Sequence, residues 1–182
     1  MRVYQLFAKV LDYPTAETSS EARDLVSQIS AGCPEAAELL ERFYSTCDGM
    51  TAGELEELYT STFDMRPDCT TNLGCHLFGE DVRRNLFMAQ LKERMAARRI
   101  AIGAELPDHL SLVLELVAAQ DSTDETQTLI ADCLVPSITR MLSTFDPSGS
   151  DNNPYAKALR ALLLLLKKDA EAETAAVGAA QA

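Results

Sequence analysis

The stretch Thr51-Ala-Gly-Glu-Leu-Glu-Glu-Leu-Tyr-Thr-Ser-Thr-Phe63 decides the fold class, because it combines a helix start with a helical apolar period. Thr51 and Glu54 have the spacing of a capping box, in which each side chain accepts a hydrogen bond from the other residue's backbone N–H. The apolar residues that follow recur at the spacing of one helix face: Leu55, Leu58, Tyr59 and Phe63. This pattern predicts an amphipathic helix.

The same helical period extends outward through most of the chain, and prolines and glycines fall mainly between the periodic blocks. A nearly all-apolar block at residues 110–117 predicts a buried helix, and Pro136 predicts a kink or break in the helix after it. The sequence therefore predicts an all-α fold, a single-domain bundle of about eight helices over residues 1–168. We expect residues 169–182, rich in Ala and Glu, to form a flexible tail.

Composition limits the classes of partner. The 182 residues carry a net charge of −12, which disfavours nucleic acid and anionic lipid and favours cationic or apolar partners. The longest leucine run, residues 162–166, is far below the ~20 residues that span a bilayer, so no direct membrane insertion is expected. The N-terminal apolar residues are interrupted by Lys9 and Asp12, and five scattered cysteines indicate reduced thiols. These features predict a cytoplasmic protein.

Motifs for catalysis or cofactor binding are missing from the sequence, which has no phosphate loop, dinucleotide fingerprint, zinc-protease motif or nucleophile elbow. Cys69, Cys75 and His76 lie in a segment without helical period, residues 65–79, and offer three soft ligands for zinc. Their spacing is not a usual zinc pattern. Cys75–His76 and Asp108–His109 are neighbours in sequence, which seldom orient toward each other as catalytic pairs. We predict no metal, no cofactor and no enzymatic activity.

The helix predicted at about residues 80–100 carries two apolar stripes and a concentration of positive charge, six of the chain's 16 lysines and arginines. A helix with two apolar sides is usually central in a bundle. One stripe comprises Val82, Leu86, Ala89 and Ala96, and the other comprises Phe87, Leu91 and Met95. The second stripe is interpreted either as ordinary core or as the lining of a groove that binds a partner helix.

The segment Glu105-Leu-Pro-Asp-His-Leu110 precedes the buried helix. Pro107 favours an extended conformation for Leu106, and Asp108 is predicted to cap the following helix by accepting backbone N–H bonds. The same cap would present Glu105 and His109 at the helix start.

Three motifs occur in a suggestive order: Leu58-Tyr-Thr-Ser-Thr-Phe-Asp64, Leu77-Phe-Gly-Glu80 and Glu105-Leu-Pro-Asp-His-Leu110. Together with Leu11-Asp-Tyr-Pro14, they resemble the NarJ/TorD family of molybdoenzyme assembly chaperones, and specifically its NarJ-like, nitrate reductase delta subunit branch. The resemblance spans about residues 3–166. It departs from the family pattern at Ser111, where a second proline is common, and at Cys75-His76.

The resemblance implies an all-helical, non-catalytic cytoplasmic chaperone, either a monomer or a weak or swapped dimer. Such a chaperone binds the N-terminal segment of an apo molybdoenzyme catalytic subunit and assists molybdenum cofactor insertion before export or membrane docking. The positions that match the family's peptide-recognition motifs are Glu105, Leu106, Pro107, Asp108, His109, Tyr59, Phe63 and Asp64. The alternative is a permanent helical subunit, structural or regulatory, of a multi-protein complex.

Overall fold

A computed structural model describes residues 2–119, 124–145 and 152–180, with side chains up to residue 171. The described residues are all-α, as predicted, and the α-helices are α1 (Arg2–Val10), α2 (Thr18–Ile29), α3 (Pro34–Cys47), α4 (Ala52–Tyr59), α5 (Leu73–Phe78), α6 (Arg83–Ala97), α7 (Leu110–Ala118), α8 (Asp124–Leu129), α9 (Val135–Leu142) and α10 (Pro154–Ala180). Among these residues, no helix combines the length and apolar character that a membrane crossing requires.

The core forms where α1 packs on α2 and α7, and where α3 packs on α2 and α10. The predicted buried helix is α7, in which every residue from Leu110 to Val117 except Glu115 is buried. At the start of α4, Thr51 and Glu54 form the predicted capping box, with the Glu54 carboxylate 2.8 Å from the Thr51 backbone nitrogen. Local sequence signals therefore placed these helices correctly.

Two helices contain a turn of π-helix. Residues Thr60–Asp64 continue α4, and residues Ile130–Leu134 join α8 to α9. The second π turn lies just before Pro136, near the start of α9, and the Val135 N–H bonds to the Ile130 carbonyl. The helix therefore does not break at Pro136: a π turn with wider hydrogen-bond spacing precedes the proline, and α9 continues past it.

The prediction that residues 65–79 are irregular is wrong in part. A 3₁₀ turn spans Pro67–Cys69, and α5 spans Leu73–Phe78. With only six residues, α5 is too short to show a helical period in the sequence. If α8, its π turn and α9 are counted as one continuous helix, the described residues contain nine helices, and α5 is the one that the sequence did not predict.

The prediction that α6 is central in the bundle is also wrong. Its first stripe faces solvent, since Val82 is 75% and Leu86 63% exposed, whereas Leu91 and Met95 on the other stripe are buried. One buried stripe is enough to attach a peripheral helix.

At the other end of the chain, the backbone of α10 remains helical to Ala180, and Asp169 accepts a 2.7 Å hydrogen bond from the Tyr4 hydroxyl. The flexibility of residues 169–182 stays a prediction. The sequence Asp146-Pro-Ser-Gly-Ser150 predicts a turn, but these residues lie outside the described part of the chain.

Candidate functional site

The Asp108 carboxylate is fully buried and joins three parts of the chain. Its Oδ2 atom accepts hydrogen bonds from the Gly74 backbone nitrogen at 3.1 Å and from Arg84 Nε at 2.9 Å, and Arg84 Nη2 lies 3.4 Å from Oδ1. The hydrogen bond with Asp108 raises the pKa of Arg84. We call Asp108, Arg84 and Gly74 the Asp108 cluster.

The predicted role of Asp108 as the cap of α7 is wrong. His109 holds the cap position of α7, and no side chain donates or accepts a capping bond there. Asp108 instead accepts the N–H of Gly74 in the first turn of α5, 34 positions away in the chain. A carboxylate next to free backbone N–H groups also interacts favourably with the dipole of the helix start.

Two backbone hydrogen bonds fix the 105–110 segment against the start of α5. The Leu73 nitrogen donates to the Asp108 carbonyl and the Leu110 nitrogen donates to the Thr71 carbonyl, both at 2.8 Å. They form an isolated antiparallel bridge between Asn72 and His109. The segment before α7 is therefore held at both main chain and side chain.

Gly74 is required where α5 meets this segment. A Cβ atom at this position would lie 2.5 Å from Asp108 Oδ2 and 2.9 Å from Arg84 Cγ. Both distances are shorter than atoms tolerate, so the close approach of Asp108 to the α5 backbone depends on a residue without a side chain. The sequence gives no local signal for this contact, because Gly74 and Arg84 are both remote from Asp108 along the chain.

His109 and Glu105 are differently placed from Asp108. The His109 ring is buried, with Nδ1 2.8 Å from Ser111 Oγ and Nε2 4.0 Å from Glu105 Oε2. The Glu105 side chain is exposed, and Leu106 is 45% exposed. Pro107, which lies between Leu106 and Asp108 in the sequence, is half-buried. Of these five residues, Glu105 and Leu106 are the ones with most surface available to a partner.

Acidic and aromatic side chains meet around Tyr59. Burial raises the pKa of the Tyr59 hydroxyl, and the nearby carboxylates of Asp12, Asp64 and Glu105 raise it further. These three carboxylates, which come from distant parts of the sequence, thus lie near enough to one phenol to act on it electrostatically. The exposed ring of Tyr13 packs edge-on against Tyr59, with 5.4 Å between ring centroids. The acidic aromatic surface, as we name it, comprises Asp12, Tyr13, Asp64, Glu105 and Leu106.

Tyr59 and Phe63 themselves belong to the core. Both are buried and pack against Tyr155, at centroid distances of 5.7 and 5.0 Å. The π turn after Tyr59 directs Phe63 inward and leaves Asp64 exposed. Tyr59 and Phe63 therefore support the acidic aromatic surface from beneath, and Asp64 lies on it.

An apolar cavity of about 230 Å³ lies between α5, α6 and the π turn of Ile130–Leu134. The rings of Phe78 and Phe87 pack at a tilt of 57° in its wall, with 5.5 Å between centroids, and Leu91 also lines the cavity. Leu91 and Met95 are buried, whereas Phe87 is only partly buried. Leu91 and Met95 of the second α6 stripe therefore belong to the core, and Phe87 and Leu91 line this cavity. Binding of a partner helix by this stripe stays a prediction.

The cysteines and His76 do not form a metal centre in the described part of the chain, where no group of three or more His, Cys, Asp or Glu side chains has the geometry to hold a metal ion. Burial raises the pKa of the Cys69 thiol to about 11. His76 Nε2 lies 2.7 Å from the Thr70 carbonyl, and burial lowers the pKa of its imidazole. Because a carbonyl can only accept, His76 Nε2 donates this bond.

Fold and site together define an all-helical protein in which a buried carboxylate fixes an acidic surface segment. The family model described as "Nitrate reductase delta subunit" matches residues 27–143. The chain therefore belongs to the nitrate reductase delta subunit family, the NarJ-like chaperone family, whose general role is molybdoenzyme maturation. Comparison with curated proteins gives no match.

Proposed function

We propose that this protein is a cytoplasmic chaperone that binds the N-terminal segment of an apo molybdoenzyme catalytic subunit and holds it for cofactor insertion and assembly. In this proposal the protein is not an enzyme and leaves the client once the cofactor is in place. Family membership and the acidic aromatic surface support it.

The acidic aromatic surface carries the proposal. Asp12, Asp64 and Glu105 concentrate negative charge near Tyr59, and Tyr13 offers an exposed aromatic ring beside it. A client arginine is complementary to both, through ion pairing with the carboxylates and cation–π contact with the ring. Leu106 offers apolar area for an adjacent client side chain.

Asp108 has a supporting role in this proposal. Its carboxylate is occupied by Gly74 and Arg84, so Glu105, not Asp108, meets the client cation. Asp108 positions the segment that presents Glu105. His109, buried against Ser111, supports the same segment.

Calorimetry with a peptide of the client's N-terminal segment tests the proposal. Exposed ion pairs contribute about 0.2–1 kcal/mol each, so we expect Asp64→Asn and Glu105→Gln each to weaken binding roughly two- to fivefold, and the double variant to weaken it further. The weakening should shrink at high salt. Glu56→Gln, an exposed carboxylate on α4, is the matched control. Equal affinity for the double variant, the control and the parent protein would refute this surface as the binding site.

Stoichiometry separates the proposal from the alternative of a permanent subunit. A chaperone co-purifies with apo catalytic subunit and is absent from the mature enzyme. A structural or regulatory subunit would remain in the mature complex at one copy per catalytic subunit, and that result would overturn the chaperone proposal.

A further inference from the structure

A polar recess of about 590 Å³ lies between the 3₁₀ turn of Pro67–Cys69, α5 and the end of α9. Its lining includes two arginines, one histidine and two hydroxyl side chains: Arg66, Arg140, His76, Ser143 and Thr144. Small-molecule sites typically occupy ~300–1,000 Å³. The recess is therefore large enough for a small ligand.

Both arginines are fixed to the protein backbone. Arg66 Nη2 donates a 2.8 Å hydrogen bond to the Thr144 carbonyl, and its guanidinium carbon lies 5.1 Å from the centre of the Phe145 ring. Arg140 Nη1 donates to the His76 carbonyl. A guanidinium has five N–H donors, so one such bond each leaves donors free for a ligand. The two cations are held in place before any ligand arrives, which lowers the entropic cost of binding.

The charge of the recess contrasts with that of the chain. Acidic residues outnumber basic ones by 28 to 16, yet within the described residues neither Arg66 nor Arg140 forms an ion pair with a carboxylate. Asp68 also lines the recess and offsets part of the positive charge. Two arginines against one aspartate leave a surplus of one positive charge in the recess.

We propose that this recess binds a phosphate-bearing small molecule, with the guanidinium groups of Arg66 and Arg140 contacting phosphoryl oxygens. Guanidinium groups match phosphate oxygens in planar, often bidentate geometry, and such charge-assisted bonds are stronger than neutral ones. This proposal goes beyond the peptide-binding function and does not depend on it, because no residue of the acidic aromatic surface lines the recess.

Isothermal titration of the full chain with inorganic phosphate and with pyrophosphate, at constant ionic strength set by chloride, is the direct test. We expect saturable binding that weakens about tenfold or more in Arg66→Gln and in Arg140→Gln, since each loses hydrogen bonds to a charged group. Arg42→Gln, an exposed arginine on α3, should bind as the parent does. Tighter binding of pyrophosphate would indicate a ligand with linked phosphoryl groups, and equal binding a single phosphoryl group.

A purely structural role of the two arginines predicts a different result. As partners of carbonyls near helix ends, they would affect thermal stability but give no phosphate dependence. Binding of phosphate that is unchanged in both glutamine variants, or that chloride reproduces, would overturn the proposal. If the variants do not fold, phenylglyoxal labelling of the parent protein decides, since bound phosphate should protect Arg66 and Arg140 but not Arg42. Equal labelling at all three sites would refute the site.

Discussion

Replacing Asp108 by alanine should destabilise the fold more than any exposed carboxylate substitution in this chain. The change removes three hydrogen bonds to a charged acceptor, from Gly74 N–H at 3.1 Å, from Arg84 Nε at 2.9 Å and, more weakly, from Arg84 Nη2 at 3.4 Å. The two shorter bonds are worth about 1.5–3 kcal/mol each. The Arg84 side chain is 21% exposed and can hydrogen-bond to water once Asp108 is removed, so the free energy lost with its bond lies at the low end of this range. We expect a loss of about 3 kcal/mol in unfolding free energy, which is ~6–12 °C in Tm for a domain of this size.

Chemical denaturation of Asp108→Ala, Asp108→Asn and Arg84→Met, followed by circular dichroism, measures this effect. Asp108→Asn keeps one oxygen for the Gly74 N–H but loses the charge and replaces the other acceptor oxygen by an NH2 group, so its loss should be roughly half as large. Glu105→Gln serves as the exposed control and should stay within ~0.5 kcal/mol of the parent.

The double variant Asp108→Asn, Arg84→Met isolates the interaction between the two side chains. If the two single losses simply add, Arg84 does not stabilise Asp108. A loss below ~1 kcal/mol for Asp108→Ala would contradict the assignment of this carboxylate as the link between α5, α6 and α7.

Three further predictions concern stability and reactivity. Gly74→Ala should destabilise the protein, since its Cβ would lie 2.5 Å from Asp108 Oδ2, whereas Gly53→Ala, with nothing within 4 Å, should stabilise α4 by up to ~1 kcal/mol. Thermal melts of the two variants measure the difference, and equal shifts in Tm would be inconsistent with the close contact at Gly74. Backbone and side-chain hydrogen bonds with Thr51 lower the pKa of Glu54. The stability that Glu54 contributes is therefore complete above its ordinary pKa and is lost as pH falls through the lower folded-state value. In melts from pH 2 to 7, Tm should fall less steeply with decreasing pH in Glu54→Gln than in the parent, and identical profiles would speak against the capping box in solution. Thiol labelling of the native protein near neutral pH should modify Cys33 and Cys75 before the buried Cys47, Cys69 and Cys133. Burial raises the pKa of Cys47 and Cys133 to about 12, so these thiols hold little of the reactive thiolate. Rapid labelling of all five thiols would contradict this order.

Local sequence signals predicted most of the helices. The Thr51–Glu54 capping box, Pro34 at the first position of α3 and the apolar block of α7 each act within a few residues, so propensity and period were sufficient. The helix that the sequence missed, α5, donates an N-terminal backbone N–H to the carboxylate of Asp108, 34 residues away. A cap supplied from so far along the chain leaves no local pattern.

The candidate site also combines features that the sequence predicted with features that only the structure showed. Sequence motifs identified Asp64, Glu105 and Asp108 as residues to explain, and the family resemblance was confirmed. They did not reveal that Asp108 is buried by Arg84 and Gly74, that Tyr59 and Phe63 lie beneath the surface, or that Asp12 joins Asp64 and Glu105 around Tyr59.

The sequence by itself thus determined the all-helical class, the family and the acidic character of this protein, since helical period, motif order and net charge are properties of the chain alone. Only the tertiary structure decided what each polar residue does. Asp108 and Glu105 are three positions apart in the sequence. The buried Asp108 carboxylate accepts hydrogen bonds from Arg84 and the α5 backbone, whereas the Glu105 carboxylate is exposed. Desolvation and long-range hydrogen bonding make that distinction, and both depend on which segments fold against each other.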